Sequence, residues 1–93
     1  MDTKKLRKNS TEILRIVFDI TLYKSLLFKN LYYRDDTLYM VVYDPPEKQD
    51  KEYFDSYPSV PETLFIRLEQ LGYKLVICGE PEEDMLLFEE IFL

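Results

Sequence analysis

Thr37–Pro46 reads Thr-Leu-Tyr-Met-Val-Val-Tyr-Asp-Pro-Pro, and this stretch decides the fold. The residues before the prolines are rich in β-branched and aromatic side chains, which is typical of a β-strand. The strand is apolar on both faces, as strands in the middle of a covered sheet are. Pro45 and Pro46 end it because proline has no N–H to donate to a neighbouring strand. The stretch therefore predicts a central strand of a sheet that is covered on both sides.

A β-hairpin is predicted around the start of this strand. Leu31–Arg34 is predicted as a short strand, and Asp35-Asp36 separates it from the central strand by a two-residue turn. The turn lacks the glycine that a type I′ turn prefers, but the two flanking runs still predict that residues 31–44 pair as a hairpin.

The segment before the hairpin predicts a long helix that continues to Phe28. Asn9-Ser10-Thr11-Glu12 has the spacing of a capping box. At 100° per residue a narrow polar strip lies opposite a broad apolar face, so we expect the helix to be covered on most sides. The strip holds Glu12, Arg15 and Asp19, and the apolar face holds Ile13, Ile16, Val17, Ile20, Tyr23 and Leu27. Alternating apolar residues from Leu14 to Leu22 also fit a strand, and helix is the favoured interpretation.

The chain after the central strand predicts a helix and a second strand. Ser59-Val60-Pro61-Glu62 repeats the capping spacing, and Gly72 stands where a helix ends with a residue in the left-handed conformation. Tyr73–Cys78 follows as a strand, and strand, helix, strand favours a right-handed crossover. The apolar face of this helix is formed by Val60, Leu64, Leu68 and Leu71.

The last segment predicts either an amphipathic helix or a strand. Pro81 and the acidic residues after it favour a helix start, while a hairpin with Tyr73–Cys78 is the alternative. The predicted fold class is a single small α+β domain: helix, β-hairpin, helix, strand and a C-terminal amphipathic helix or strand, with a mixed sheet faced by helices. Residues 9–93 form the domain, and residues 1–8 form a basic mobile tail.

Composition argues against most catalytic chemistry. A chain of 93 residues, 46% of them hydrophobic, can build one modest core. It has no histidine, which is the commonest general base and metal ligand. Cys78, the single cysteine, has no histidine to activate it and is followed by Glu80, so a buried inert thiol is expected. We predict a non-enzymatic protein with no catalytic residues, no metal site and no cofactor.

Basic and acidic residues are unevenly distributed along the chain. Net charge is −6, but residues 1–30 are basic and residues 31–93 are strongly acidic. An acidic body repels phosphate backbones, so direct nucleic-acid binding is not expected, whereas a basic protein surface is a plausible partner. Absence of a signal-like segment or a long apolar run predicts no membrane association and a location in the cytoplasm of a cell or a virus-infected host.

Tyrosines and acidic residues between 32 and 57 favour a protein-binding surface, because tyrosine buries a large area at a low entropy cost. The alternative is that these tyrosines are core and cross-strand residues. The predicted partner-binding residues are Asp35, Asp36, Tyr53, Asp55, Tyr57, Glu80, Glu82, Glu83 and Asp84.

The sequence thus predicts a small acidic protein-binding module. One such case is an inhibitor of a nucleic-acid-handling enzyme, of the anti-defence type that viruses and mobile elements encode, acting by charge mimicry. A structural homo-oligomer without charge mimicry is the second hypothesis, because the apolar first helix and residues 86–93 suggest either tight packing in the monomer or a homodimer interface. The third hypothesis is a small carboxylate-based enzyme, for which Asp44 would be the residue to test.

Overall fold

The computed structural model describes residues 3–23, 25–45 and 62–88. Helices and a mixed four-stranded sheet form a small α+β domain, and the predicted fold class is confirmed. The elements in chain order are α1 (Thr3–Lys8), α2 (Ser10–Tyr23), β1 (Leu27–Arg34), β2 (Thr37–Tyr43), α3 (Glu62–Leu71), β3 (Lys74–Cys78) and β4 (Leu86–Leu87).

The sheet is organised around β2. Its strand order is β3-β2-β1-β4, so β2 lies between β3 and β1, as the sequence predicts. β1 and β2 are antiparallel, while β2 and β3 are parallel with α3 between them in the chain. The predicted hairpin and the predicted strand, helix, strand unit are both confirmed.

Helices pack on one face of the sheet. Leu38, Met40 and Val42 of β2 point to that face and belong to the same buried cluster as residues of all three helices. On the opposite face, Val41 is buried but Tyr43 is 55% exposed. The sheet was predicted to be covered on both faces, but at the end of β2 this face is only partly covered. The core consists of Leu6, Ile13, Ile16, Val17, Ile20, Leu31, Tyr33, Leu38, Met40, Val42, Leu64, Leu68, Tyr73, Ile77 and Phe88.

Helix α2 is shorter than predicted. The preference for helix over strand at residues 10–23 is confirmed, but the helix does not reach Phe28. Leu26 N–H donates to the Thr21 carbonyl at 3.0 Å and Ser25 N–H donates to the Leu22 carbonyl at 3.2 Å. These two bonds form a Schellman motif with Ser25 at φ 54°, which stops the helix and turns the chain into β1. Leu27 therefore belongs to β1 and not to the apolar face of the helix.

The buried face of α2 is the predicted one. Ile13, Ile16, Val17 and Ile20 are at most 1% exposed. The helix is not covered on most of its sides, however, because Phe18 is 48% exposed and Leu22 is 76% exposed. A broad apolar surface was correctly predicted, but part of it faces outward.

The N-terminal segment differs from the predicted basic mobile tail. Thr3–Lys8 is helical, and its single leucine, Leu6, is fully buried in the core. Lys5 Nζ lies 5.0 Å from the centre of the Tyr73 ring, so α1 also contacts the chain just before β3. A basic segment can dock in this way because lysine stems are apolar and their charged ends remain near water.

In the described part of the C-terminal segment, the two residues of β4 form a strand. Leu86–Leu87 pairs with Tyr32 and Tyr33 of β1, not with residues 73–78. A helix starting at Pro81 is wrong because Asp84 adopts φ 64°, which a continuous right-handed helix does not allow. Residues 89–93 lie outside the described part of the chain.

Candidate interaction surface

The hairpin turn places two predicted partner-binding residues at one end of the sheet. Asp35 and Asp36 have φ 49° and 58°, which is a type I′ geometry, and both are exposed. Asp36 Oδ1 accepts a hydrogen bond from the Tyr33 hydroxyl at 3.2 Å, and its carbonyl accepts one from Lys74 N–H at 3.0 Å. The turn is therefore fixed both to its own strand and to β3.

Arg34 brings a second group of carboxylates to this turn. Its Nη2 lies 2.7 Å from Glu82 Oε2, and its Nη1 donates to the Glu83 carbonyl at 3.1 Å. β3 and β4 lie at opposite edges of the sheet, so the connection between them crosses the sheet. Arg34 alternates with buried Tyr33, which places it, and the connection it binds, on the face opposite the helices.

We call the resulting surface the acidic tip. It consists of Asp35, Asp36, Glu82, Glu83 and Asp84, all exposed. Two of these residues are far from the other three in the chain, and the contacts of Arg34 bring the groups together.

The acidic tip is only partly neutralised from within. The hydrogen bonds to Glu82 and then to Tyr39 raise the pKa of Arg34 above its ordinary value, so it stays charged. Its guanidinium also lies 5.6 Å from the centre of the Tyr39 ring. Arg34 pairs with one of the five carboxylates, that of Glu82, and the Glu82 side chain remains 66% exposed although it is paired. Negative charge is in excess at this surface.

The other predicted partner-binding residues are placed differently. Glu80 follows the end of β3, which is next to Val41 and far along the strand from the hairpin turn. Its backbone contacts the thiol of Cys78, so it does not belong to the acidic tip. Tyr53, Asp55 and Tyr57 lie outside the described residues.

Sequence reasoning missed Arg34 as part of this surface, whereas Tyr39 lies within the tyrosine-rich stretch that was predicted to bind protein. Arg34 was assigned only to a short strand, although a lone cation directly before two aspartates was a signal that acidic groups could gather around it. Tyr39 pairs across the hairpin with Tyr32, and both rings are half-buried. The suggestion that some tyrosines are cross-strand residues therefore applies here, while the open ring surface stays available beside the acidic tip.

Cys78 is half-buried at the end of β3. Burial, followed by the negative charge of Glu82, raises the pKa of its thiol, and a hydrogen bond with the Glu80 backbone opposes the shift. A raised pKa means less thiolate at neutral pH, so the thiol is a weak nucleophile.

Removing the charge of Glu82 should make Cys78 more reactive. We expect Glu82→Gln to lower the pKa of the thiol and to move the pH profile of iodoacetamide alkylation towards lower pH. Arg34→Gln breaks the same ion pair but keeps the carboxylate, so it separates the effect of charge from that of loosening the connection. Equal acceleration by both variants would contradict the electrostatic explanation.

A concave feature lies between α2 and α3. It is a groove of about 390 Å³ whose walls carry charges of both signs, including Arg15 and Asp19. Arg67 Nε and Glu12 Oε1 are 3.6 Å apart within it. Opposite charges alternate here, so this groove has no net preference for one type of ion.

Residues 3–23, 25–45 and 62–88 contain neither a metal-binding cluster nor a membrane-spanning helix. No three cysteine, aspartate or glutamate side chains are grouped there in a way that could hold a metal ion. Across the same residues, none of the helices combines the length and the apolar character that crossing a bilayer requires.

Comparison of the chain with family models, with curated proteins and with solved structures gives no significant match. The function of the protein is therefore inferred from its surfaces.

Proposed function

We propose that this protein is a small, non-enzymatic binding module whose acidic tip binds a basic surface of a larger protein. The observation that carries the proposal is the pair of contacts from Arg34 to Glu82 and to the Glu83 carbonyl. These contacts hold two chain-distant acidic segments side by side.

Pre-formed charge favours this function for a physical reason. A fixed cluster of exposed carboxylates attracts a cationic surface before contact and raises the association rate. Holding the carboxylates on a β-turn and a docked connection also lowers the entropy lost on binding. The same charge repels phosphate groups, so we propose no direct contact with nucleic acid.

The partner that fits best is a protein with a cationic groove. Nucleic-acid-handling enzymes have such grooves, and occupation of one by the acidic tip would exclude the nucleic acid. In this proposal the protein is a charge-mimicking inhibitor that acts in the cytoplasm of a cell or of an infected host, as anti-defence proteins of viruses and mobile elements do. The net charge of −6 supports it, as does the exposure of the acidic residues at the tip.

Neutralising two tip carboxylates should weaken binding to a cationic probe. We expect Asp35→Asn/Glu83→Gln to lower the affinity for an oligo-arginine peptide about tenfold, which corresponds to about 1.4 kcal/mol. Asparagine tolerates the left-handed backbone at residue 35, and the Glu83 carbonyl that binds Arg34 is unchanged. The affinities are measured by titration calorimetry at several salt concentrations.

The matched control removes the same charge elsewhere. Asp19→Asn/Glu80→Gln changes α2 and the segment after β3, whose end lies opposite Val41 and away from the hairpin turn, and should lower the affinity less than twofold. If both double variants weaken binding equally, net charge alone attracts the peptide and the acidic tip is not a site. Affinity that does not fall with added salt would also overturn charge mimicry.

A second candidate function is structural self-association. Leu22 and Leu27 are 76% and 66% exposed, which is unusual for leucines so close to each other in a small domain. We propose that the protein is a homodimer, either in addition to binding a partner or as its sole role.

A further inference from the structure

The end of the sheet opposite the acidic tip is apolar. Phe18 and Leu22 of α2, Leu27 and Phe28 of β1, and Tyr43 of β2 lie there, and we call this surface the apolar end. Four of these five side chains are between 48% and 76% exposed, and Phe28 is half-buried.

These residues also lie close together in space. Phe18 and Phe28 rings contact edge to face, with centres 5.6 Å apart. Phe18 and Leu22 lie one turn apart on α2, and Leu27 is paired with Tyr43 across the hairpin. Because adjacent strand residues point to opposite faces, the apolar end wraps around the start of β1 from the helix side to the open side.

We propose that the apolar end binds a second copy of this chain, related to the first by a two-fold axis. Charge at its rim is the first argument. Lys29 Nζ lies 4.2 Å from the centre of the Tyr43 ring, and exposed Asp44 directly follows Tyr43. Next to Tyr43, the described part of the rim thus carries the cation Lys29 and the anion Asp44, so two-fold packing can place Lys29 of one copy beside Asp44 of the other. A surface of this kind is self-complementary.

The position of the acidic tip is the second argument. Two copies that met through their acidic tips would repel each other, whereas the apolar end is at the other end of the hairpin. Like charges therefore favour association through the apolar end and disfavour the opposite orientation.

Area is the third argument. With side chains that bury on the order of 150–250 Å² each, the exposed fractions amount to roughly 400 Å² of apolar surface. Homodimer interfaces are about 65% apolar, so this corresponds to roughly 600 Å² per copy, or about 1,200 Å² in total, which is the lower end of the range for stable complexes.

A dimer formed in this way has a functional consequence. The two acidic tips would point away from the interface, so one dimer could bind two basic sites and gain avidity. This inference rests on the homodimer part of the proposed function, and it is independent of what the acidic tip binds.

Light scattering over a range of protein concentrations tests the inference. Leu22→Lys and Leu27→Lys each put a cation into the apolar end of both copies, and each should weaken dimerisation about tenfold or more. Ile66→Lys and Val76→Lys are the matched controls, because these residues are 40% and 38% exposed on α3 and β3. The controls should leave the dimer unchanged, and circular dichroism checks that every variant is folded.

The outcomes separate the possible failures. Dimer loss in Val76→Lys but not in Leu22→Lys would place the interface at the β3 edge and overturn the apolar end as the site. A wild-type chain that is monomeric at every concentration would overturn dimerisation altogether. In that case a positive oligo-arginine titration would still support binding by the acidic tip.

Discussion

Leu6→Ala should lower the free energy of unfolding by about 3 kcal/mol, since burial of a leucine in a packed core is worth 2–5 kcal/mol relative to alanine. Leu6 is fully buried and belongs to the main core cluster. For a domain of this size the loss corresponds to a melting temperature lower by roughly 10–20 °C. Thermal and urea denaturation followed by circular dichroism measure it.

Lys4→Ala is the control within the same helix. Lys4 is exposed, so its loss should change stability by less than about 0.5 kcal/mol. The two variants together test the nature of residues 1–8. If Leu6→Ala is as mild as Lys4→Ala, the segment is a mobile tail, as its basic composition predicts, and α1 contributes nothing to the core.

Gly72→Ala should destabilise the protein by about 1–2 kcal/mol, the usual cost of a left-handed backbone for a residue with a Cβ. Gly72 has φ 92° and ends α3 in a Schellman motif, in which Tyr73 N–H donates to the Leu68 carbonyl at 3.0 Å. An added Cβ would also lie 2.5 Å from Lys5 Nζ, which must move from its place beside Tyr73. Urea denaturation measures the change in the free energy of unfolding.

Two further variants test whether backbone conformation is the cause of this loss of stability. Ser25→Gly changes the equivalent position of α2 in the opposite sense, so it should stabilise by about 0.5 kcal/mol. Gly79→Ala adds the same methyl group where the backbone is not left-handed, 3.2 Å from Pro45 Cγ, and should cost less than Gly72→Ala. Equal losses at residues 72 and 79 would show that crowding, not φ, sets the cost.

These two helix ends also show how far sequence reasoning could reach. Glycine readily adopts the left-handed conformation that ends a helix, so Gly72 predicted the end of α3 at the correct position. Ser25 has the same conformation, but serine occurs in many settings, so the end of α2 was placed too late. The error assigned Leu27 and Phe28 to the helix and shortened β1. When the left-handed residue of such a motif is not glycine, the backbone hydrogen bonds that stop the helix leave no mark in the side-chain pattern.

In the candidate site, too, some features follow from the local sequence and others depend on contacts between distant residues. Exposure of Asp35 and Asp36 follows from a two-residue turn, which the sequence predicted. That Glu82 and Glu83 lie beside them depends on Arg34 and on the crossing of the sheet between β3 and β4, and no local pattern encodes that crossing. Leu6 is similar, because one leucine among four basic residues has no periodicity to reveal that it is buried.

Hydrophobic alternation, turn chemistry and composition were sufficient to determine the α+β class, the central position of β2, the hairpin and the excess of negative charge. These properties depend on residues close together in the chain. Tertiary structure alone decided that β4 pairs with β1, that α1 joins the core, and that acidic and apolar surfaces occupy opposite ends of the molecule. Such features arise from contacts between distant residues, whose energies depend on how the whole chain packs.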